Sequence, residues 1–63
     1  MTISERIRLL RKDYLRITQE EFGKPLGLSR ANIANIEAGR ISVTDRVLLS
    51  ICREFNVNPL WLE

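Results

Sequence analysis

The segment from Thr18 to Gly39, TQEEFGKPLGLSRANIANIEAG, constrains this chain most, because its residues specify two short helices joined by a tight glycine turn. Thr18-Gln19-Glu20-Glu21 forms a capping box, in which the threonine hydroxyl accepts from the Glu21 backbone N–H and the Glu21 carboxylate accepts from the cap's own N–H. A helix is therefore expected to begin at Gln19. Phe22 and Leu26 lie four apart and share a face, and Gly23 beside them removes a side chain where another helix could approach closely. Gly27 suits a left-handed residue that ends this helix. Ser29 follows as the next N-cap, and Ile33 and Ile36 give the second helix a narrow apolar stripe that packs back on Phe22 and Leu28. Gly39 supplies its stop.

Two helices joined in this way have the outline of a helix-turn-helix, a device for laying the second helix in the major groove of DNA. The same residues also fit a packed helical hairpin with no such role, since capping boxes and glycine stops occur throughout all-helical proteins. The run from Gln19 through Glu37 resembles the helix-turn-helix of the lambda Cro and repressor-like proteins, the XRE family, with Gln19, Glu20, Gly23, Gly27, Ser29, Ile33, Ile36 and Glu37 at the pattern positions. ERIRLLRK before the motif is similar to that family's first helix, and ICREFNVNPLWLE to its closing segment, in the style of phage-type repressors. The resemblance implies an all-α, compact five-helix lambda-repressor-like domain whose helices 2 and 3 form the helix-turn-helix. It also implies a transcriptional regulator that binds double-stranded DNA.

Composition bounds the problem independently. At 63 residues the chain reads as one domain, residues 1–63, near the lower limit for folding without staples. A single Cys52 excludes an internal disulfide framework or a four-cysteine zinc site, and the absence of histidine removes the common general base and the commonest metal ligand. No catalytic residue, metal, cofactor or small-molecule ligand is expected, and the chain does not read as an enzyme. No apolar run approaches the roughly 20 residues that span a membrane, and no signal-peptide layout precedes the first helix. A cytoplasmic protein, nucleoid-associated when bound to DNA, is the expectation.

Ten Lys and Arg against eight Asp and Glu leave a net charge of only +2, with a pI near 9.2. Distribution says more. Arg6, Arg8, Arg11, Lys12 and Arg16 concentrate in the first quarter, while Arg30 and Arg40 bracket the second motif helix. For Arg6, Arg8 and Lys12 a plain solvated helix face explains the run equally well.

Five helical segments and no strand are expected along the chain. Ile3, Ile7, Leu10 and Tyr14 repeat at helical spacing and set a first helix over about residues 3–15, capped by Thr2 or Ser4. After the two motif helices, Thr44 caps a fourth, with Asp45 in its first turn and Val47, Leu48, Ile51, Cys52 and Phe55 as its buried stripe. Cys52 thus reads as core. Asn58-Pro59 is an N-cap followed by proline at the first helical position, opening a short turn that holds Leu60, Trp61 and Leu62.

The second motif helix, about residues 29–38, can be examined at about 100° per residue. With Ile33 and Ile36 turned inward, Ala31, Ala34, Asn35 and Ala38 point most directly away and Arg30 sits at the flank near the N-terminus. The family reads bases from the first residues of this helix and from one a turn later, which implies Ser29, Arg30, Ala31, Ala34 and Asn35 here. Arg30 suits a bidentate contact to guanine O6 and N7 and Asn35 one to adenine N6 and N7, whereas the alanines offer only apolar contact, for example to a thymine methyl. DNA shape, bridging water or paired half-sites must then supply the remaining specificity.

Docking falls to other residues. The resemblance assigns Gln19 a backbone phosphate, held by its side chain and its amide at a helix N-terminus, and Arg40, Asn32 and Lys24 are further phosphate candidates. It also implies a structural ion pair between Arg11, late in the first helix, and Glu37 at the end of the second motif helix.

Two departures from the pattern stand out. Pro25 removes a hydrogen bond to the Glu21 carbonyl and disfavours helical geometry at Lys24, so the first motif helix is expected to bend or stop there. DYLRIT, before Gln19, is about one residue longer than the family's common loop.

One recognition helix with two strong base readers covers little sequence, so a homodimer on a pseudo-palindrome is expected, with Leu60, Trp61 and Leu62 as its interface or, alternatively, as a cap on the domain's own core. The chain reads either as a whole domain or as the N-terminal fragment of a longer repressor. The alternative function is a protein-interaction module of the same fold, antitoxin-like or adaptor.

Overall fold

The computed structural model describes all residues, Met1–Glu63, as five helices without a strand. Helix α1 spans Ile3–Leu9, α2 Gln19–Gly23, α3 Arg30–Glu37, α4 Asp45–Phe55 and α5 Pro59–Leu62. Each begins where a side chain satisfies the free N–H groups that a helix start leaves. Thr2, Thr18, Ser29, Thr44 and Asn58 accept from the backbone N–H of Glu5, Glu21, Asn32, Val47 and Leu60 respectively. Thr2, rather than Ser4, caps α1, and Glu5 closes a second capping box with it.

These two boxes are expected to add an acid-sensitive contribution to stability. The backbone N–H of Thr2 and of Thr18 donates to the Glu5 and Glu21 carboxylates at 2.8 and 2.9 Å, and these bonds, followed by those to the threonine side chains, hold both carboxyls below the ordinary glutamate value. A folded-state pKa below the unfolded one contributes stability above the unfolded value, near pH 4.3, that is lost as pH falls through the folded value. Melting curves from pH 6 to pH 3 are therefore expected to show a smaller acid-induced drop in Tm for Glu5→Gln/Glu21→Gln than for the wild type. Equal drops would remove the capping carboxylates from the account.

The helix expected over residues 3–15 is present, but its second half is not α-helical. Leu10–Leu15 forms a π-helical stretch, ended by Arg16 in the left-handed region at φ 54°, whose N–H donates to the Arg11 carbonyl. A π turn carries one residue more than an α turn. The extra residue sensed in DYLRIT is thus absorbed inside the helix rather than in the loop after it. The face changes accordingly: Leu10 and Leu15, five apart, both join the core, whereas Tyr14, expected on the apolar stripe, is 67% exposed.

Pro25 acts as anticipated. Helix α2 stops at Gly23 and Lys24–Leu26 continues as a single 3-10 turn, although Lys24 itself keeps helical dihedrals at φ −54°, ψ −54°. Gly27 at φ 71° then reverses the chain, with its N–H donating to the Lys24 carbonyl and that of Leu28 to the Gly23 carbonyl at 3.0 Å. This pair of bonds is a Schellman ending, which needs the left-handed residue that glycine adopts at little cost.

Ile7, Leu10, Phe22, Ile33, Ile36, Leu48, Ile51 and Leu62 form the buried core, one or two residues from every helix and the π stretch. Ile33 and Ile36 pack inward as their spacing required, with Leu28 against the same cluster. Phe22 of α2 stacks on Phe55 of α4, ring centroids 4.7 Å apart and planes within 9°, which fixes the motif to the second half of the chain. Cys52 lies half-buried beside this core, where burial, and secondarily the charge of Glu63, pushes its thiol up and keeps it protonated at neutral pH.

The closing segment corrects one expectation. Leu62 is fully buried in the core and cannot serve a dimer interface in this fold, whereas Leu60 is 80% exposed and Trp61 stands edge-on to Tyr14 at 5.8 Å. The Arg6 guanidinium, read from sequence only as part of a basic run, donates to the carbonyls of Trp61 and Glu63 at 2.7 and 2.9 Å. It thereby satisfies the free carbonyls at the end of α5 and ties the two ends of the chain together.

Candidate nucleic-acid interface

Helix α3 is held by its inner face and open on the other. Ile33, Ile36 and Glu37 are buried, Ala34 and Asn35 are half-buried, and Ser29, Arg30, Ala31, Asn32 and Ala38 are exposed. Ala31, Ala34 and Asn35 thus lie on the side away from Ile33 and Ile36 with Arg30 at its flank, Asn35 and Ala34 sitting deeper than helical periodicity alone implied, while Ser29 is exposed as the N-cap. Ser29 is partly committed: its Oγ accepts the Asn32 N–H at 3.1 Å as the N-cap, which leaves the hydroxyl proton to donate elsewhere.

A cleft between α2 and α3 is lined by Arg11, Thr18, Gln19, Glu20 and Arg30. It brings the phosphate candidate Gln19 and the base-reading candidate Arg30 together, eleven positions apart in sequence. Glu20 also lines it, a carboxylate that had no assigned role at the interface. Local spacing could not have placed it there, because the crossing of α2 over α3 decides which α2 residues face Arg30.

Arg11, which lines this cleft, is half of the ion pair with Glu37. Arg11 donates through Nε to Glu37 Oε2 at 2.6 Å and through NH2 to Glu37 Oε1 at 3.1 Å, with side chains only 12% and 4% exposed. The guanidinium also donates to the Ile17 carbonyl at 2.8 Å, so it holds the end of the π stretch as well. Gln19 Nε2 donates to Glu37 Oε1 at 3.2 Å. One of the two Nε2 hydrogens of Gln19 is thus engaged by Glu37. The other, together with the backbone N–H at the start of α2, remains available to an anion.

The far end of α3 is another Schellman ending. Gly39 at φ 75° turns the chain, its N–H donating to the Ile36 carbonyl at 3.1 Å and that of Arg40 to the Asn35 carbonyl at 3.0 Å. Arg40 is exposed, and its NH1 donates to Asn35 Oδ1 at 3.3 Å. Lys24 and Asn32 are exposed without side-chain hydrogen bonds of their own, Lys24 on the 3-10 turn after α2 and Asn32 on the first turn of α3.

A profile of the helix-turn-helix family matches residues 7–62 of the chain. The chain belongs to the helix-turn-helix family. Its fold is that of the lambda-repressor-like members. The P22 c2 repressor, crystallised in complex with synthetic operator 9T in the presence of Tl+, superposes with a TM-score of 0.81 at 29% identity, covering 98% of this chain and 92% of that one. Antitoxin PezA of Streptococcus pneumoniae serotype 4 (strain ATCC BAA-334 / TIGR4) is 38% identical over 56 residues, which is 89% of this helix-turn-helix chain and 35% of the antitoxin. The chain thus spans about a third of the length of that curated relative. No helix is long and apolar enough to cross a membrane.

Proposed function

We propose that this helix-turn-helix domain binds double-stranded DNA in a sequence-specific manner as a transcriptional repressor, with α3 in the major groove of a pseudo-palindromic operator. One observation carries the reading. Helix α3 is anchored by Ile33, Ile36 and the Arg11–Glu37 pair, so that a rigid outer face of Ser29, Arg30, Ala31, Ala34 and Asn35 stands open. Similarity in fold to a repressor solved with its operator supports the same placement. Arg30 and Asn35 read base edges, while Gln19, through its side chain and its N-terminal amide, with Lys24, Asn32 and Arg40, meets phosphates that fix the register.

Two half-sites require two copies, and Leu60 with Trp61 on α5 offers the exposed apolar surface for a homodimer once Leu62 is assigned to the core. A second reading is favoured by the 38% identity with a protein named an antitoxin, namely a module of the same fold whose outer face binds a partner protein.

Affinity for a selected duplex is expected to fall steeply with salt, because Lys and Arg contacts release counterions from the phosphates. Arg30→Ala is expected to weaken the selected site by about 1–3 kcal/mol while leaving random duplex nearly unaffected. Fluorescence anisotropy across a salt series checks both. Undetectable binding to random duplex at low salt, for the chain and for a covalently linked dimer, would end the DNA reading in favour of the protein-binding one.

A further inference from the structure

We propose that Arg40 is a positioning residue that turns the Asn35 amide and thereby sets which base Asn35 reads, an inference that rests on the DNA-binding function proposed above. Arginine carries five donors and no acceptor, so the Asn35 atom facing its NH1 at 3.3 Å has to be Oδ1. The contact is built into the fold. Gly39 at φ 75° returns the chain along α3, and the bond from the Arg40 N–H to the Asn35 carbonyl at 3.0 Å places the two residues side by side before either side chain is considered.

An unrestrained asparagine pairs with adenine by accepting from N6 through Oδ1 while donating to N7 through Nδ2. That bond turns Oδ1 toward Arg40 and takes one of its two lone pairs, so the Nδ2 hydrogens become the better-placed groups for the groove. Such donors suit an edge that offers acceptors, and guanine presents two in the major groove, N7 and O6, where adenine presents N7 alone. Asn35 therefore favours guanine over adenine as long as Arg40 is in place, and Arg40 sets base preference without touching the base.

Selection of bound duplexes from a random pool, carried out with the wild type, Asn35→Ala, Arg40→Ala, Arg40→Met and the double variant Asn35→Ala/Arg40→Ala, tests this. The base pair whose preference disappears in Asn35→Ala is the one Asn35 reads. At that base pair the wild type is expected to prefer guanine, and both Arg40 variants are expected to move the preference toward adenine by about five- to tenfold, the worth of one hydrogen bond in such a pair. In the Asn35→Ala background, loss of Arg40 is expected to have no effect on base preference.

A uniform affinity loss across all sequences in both Arg40 variants, with an unchanged preference at the Asn35 base pair and a reduced salt slope, would make Arg40 a phosphate ligand only and overturn the proposal while leaving DNA binding intact. A preference in Asn35→Ala identical to the wild type would also overturn it. Failure of the wild type to retain any duplex would bring down the DNA-binding reading itself. Arg40 is exposed, so its variants are expected to melt within a few degrees of the wild type.

Discussion

Glu37→Ala is expected to destabilise the domain by about 3–5 kcal/mol, the usual consequence of leaving one member of a buried ion pair without its partner. Glu37 accepts three hydrogen bonds, two from Arg11 and one from Gln19, at 2.6, 3.1 and 3.2 Å, and its side chain is only 4% exposed. Truncation strands the Arg11 guanidinium, 12% exposed, with the Ile17 carbonyl as its remaining acceptor. A chain of this size has a total stability of roughly 3–9 kcal/mol at ~0.05–0.15 kcal/mol per residue, so the variant is expected to lose about half or more of its stability and to melt at a much lower temperature. Replacing both members, Arg11→Met/Glu37→Met, removes the stranded charge together with the pair and is expected to recover at least half of the loss. Urea denaturation followed by circular dichroism measures all three. A loss below 1 kcal/mol in Glu37→Ala would show the pair to be ornamental, and a double variant no better than the single would locate the cost in lost packing.

Gly23→Ala is expected to destabilise by about 1–3 kcal/mol, even though alanine is the better helix former by about 1 kcal/mol. Gly23 has ordinary helical dihedrals, φ −73° and ψ −29°, so conformation does not require glycine there. Space does. A β carbon at this position would lie 2.4 Å from the Leu28 carbonyl oxygen and 3.0 Å from Ile33 Cγ1. The oxygen belongs to the backbone of the turn, and Leu28 is tied back to the Gly23 carbonyl by its own N–H at 3.0 Å, so the oxygen cannot withdraw without opening the turn. Gly27 is the converse: nothing lies within 4 Å of its absent side chain, but its φ of 71° makes Gly27→Ala cost about 1–2 kcal/mol through backbone strain alone. The two substitutions separate by spectroscopy as well as stability. Gly23→Ala is expected to shift the amide resonances of Leu28 and Ile33, since the clash moves α3 relative to α2, whereas Gly27→Ala is expected to perturb only its neighbours in the chain. A stabilised Gly23→Ala protein would mean that the turn is looser than these distances require.

Much of this domain was legible before its structure, and the reason is that most of its devices are local. A threonine three residues ahead of a glutamate makes a capping box wherever it starts a helix, and Thr18–Glu21 does so here. Ser29, Thr44 and Asn58 cap as their positions implied, Gly27 and Gly39 take the left-handed conformation their places require, and Ile33 and Ile36 turn inward because helical spacing puts them on one side. The Arg11–Glu37 pair was available only through the family resemblance, since residues 26 apart carry no periodic signal of their contact.

Other features depend on what packs against what. Whether Tyr14 or Leu15 turned inward depended on the π stretch, which a one-residue excess in length does not distinguish from a longer loop. Leu60, Trp61 and Leu62 are equally apolar by composition, and only the seat of α5 against α1 and α4 buries Leu62 and leaves Leu60 in water. The meeting of Gln19 with Glu37, and of Arg6 with the last carbonyls of the chain, is likewise set by tertiary packing. Sequence alone determined where helices start, stop and turn their apolar faces, because capping and periodicity act within one or two turns of chain. Tertiary structure decided which side chains on those helices stand free at the surface and which are spent on one another, because that depends on distances between segments that no local pattern encodes.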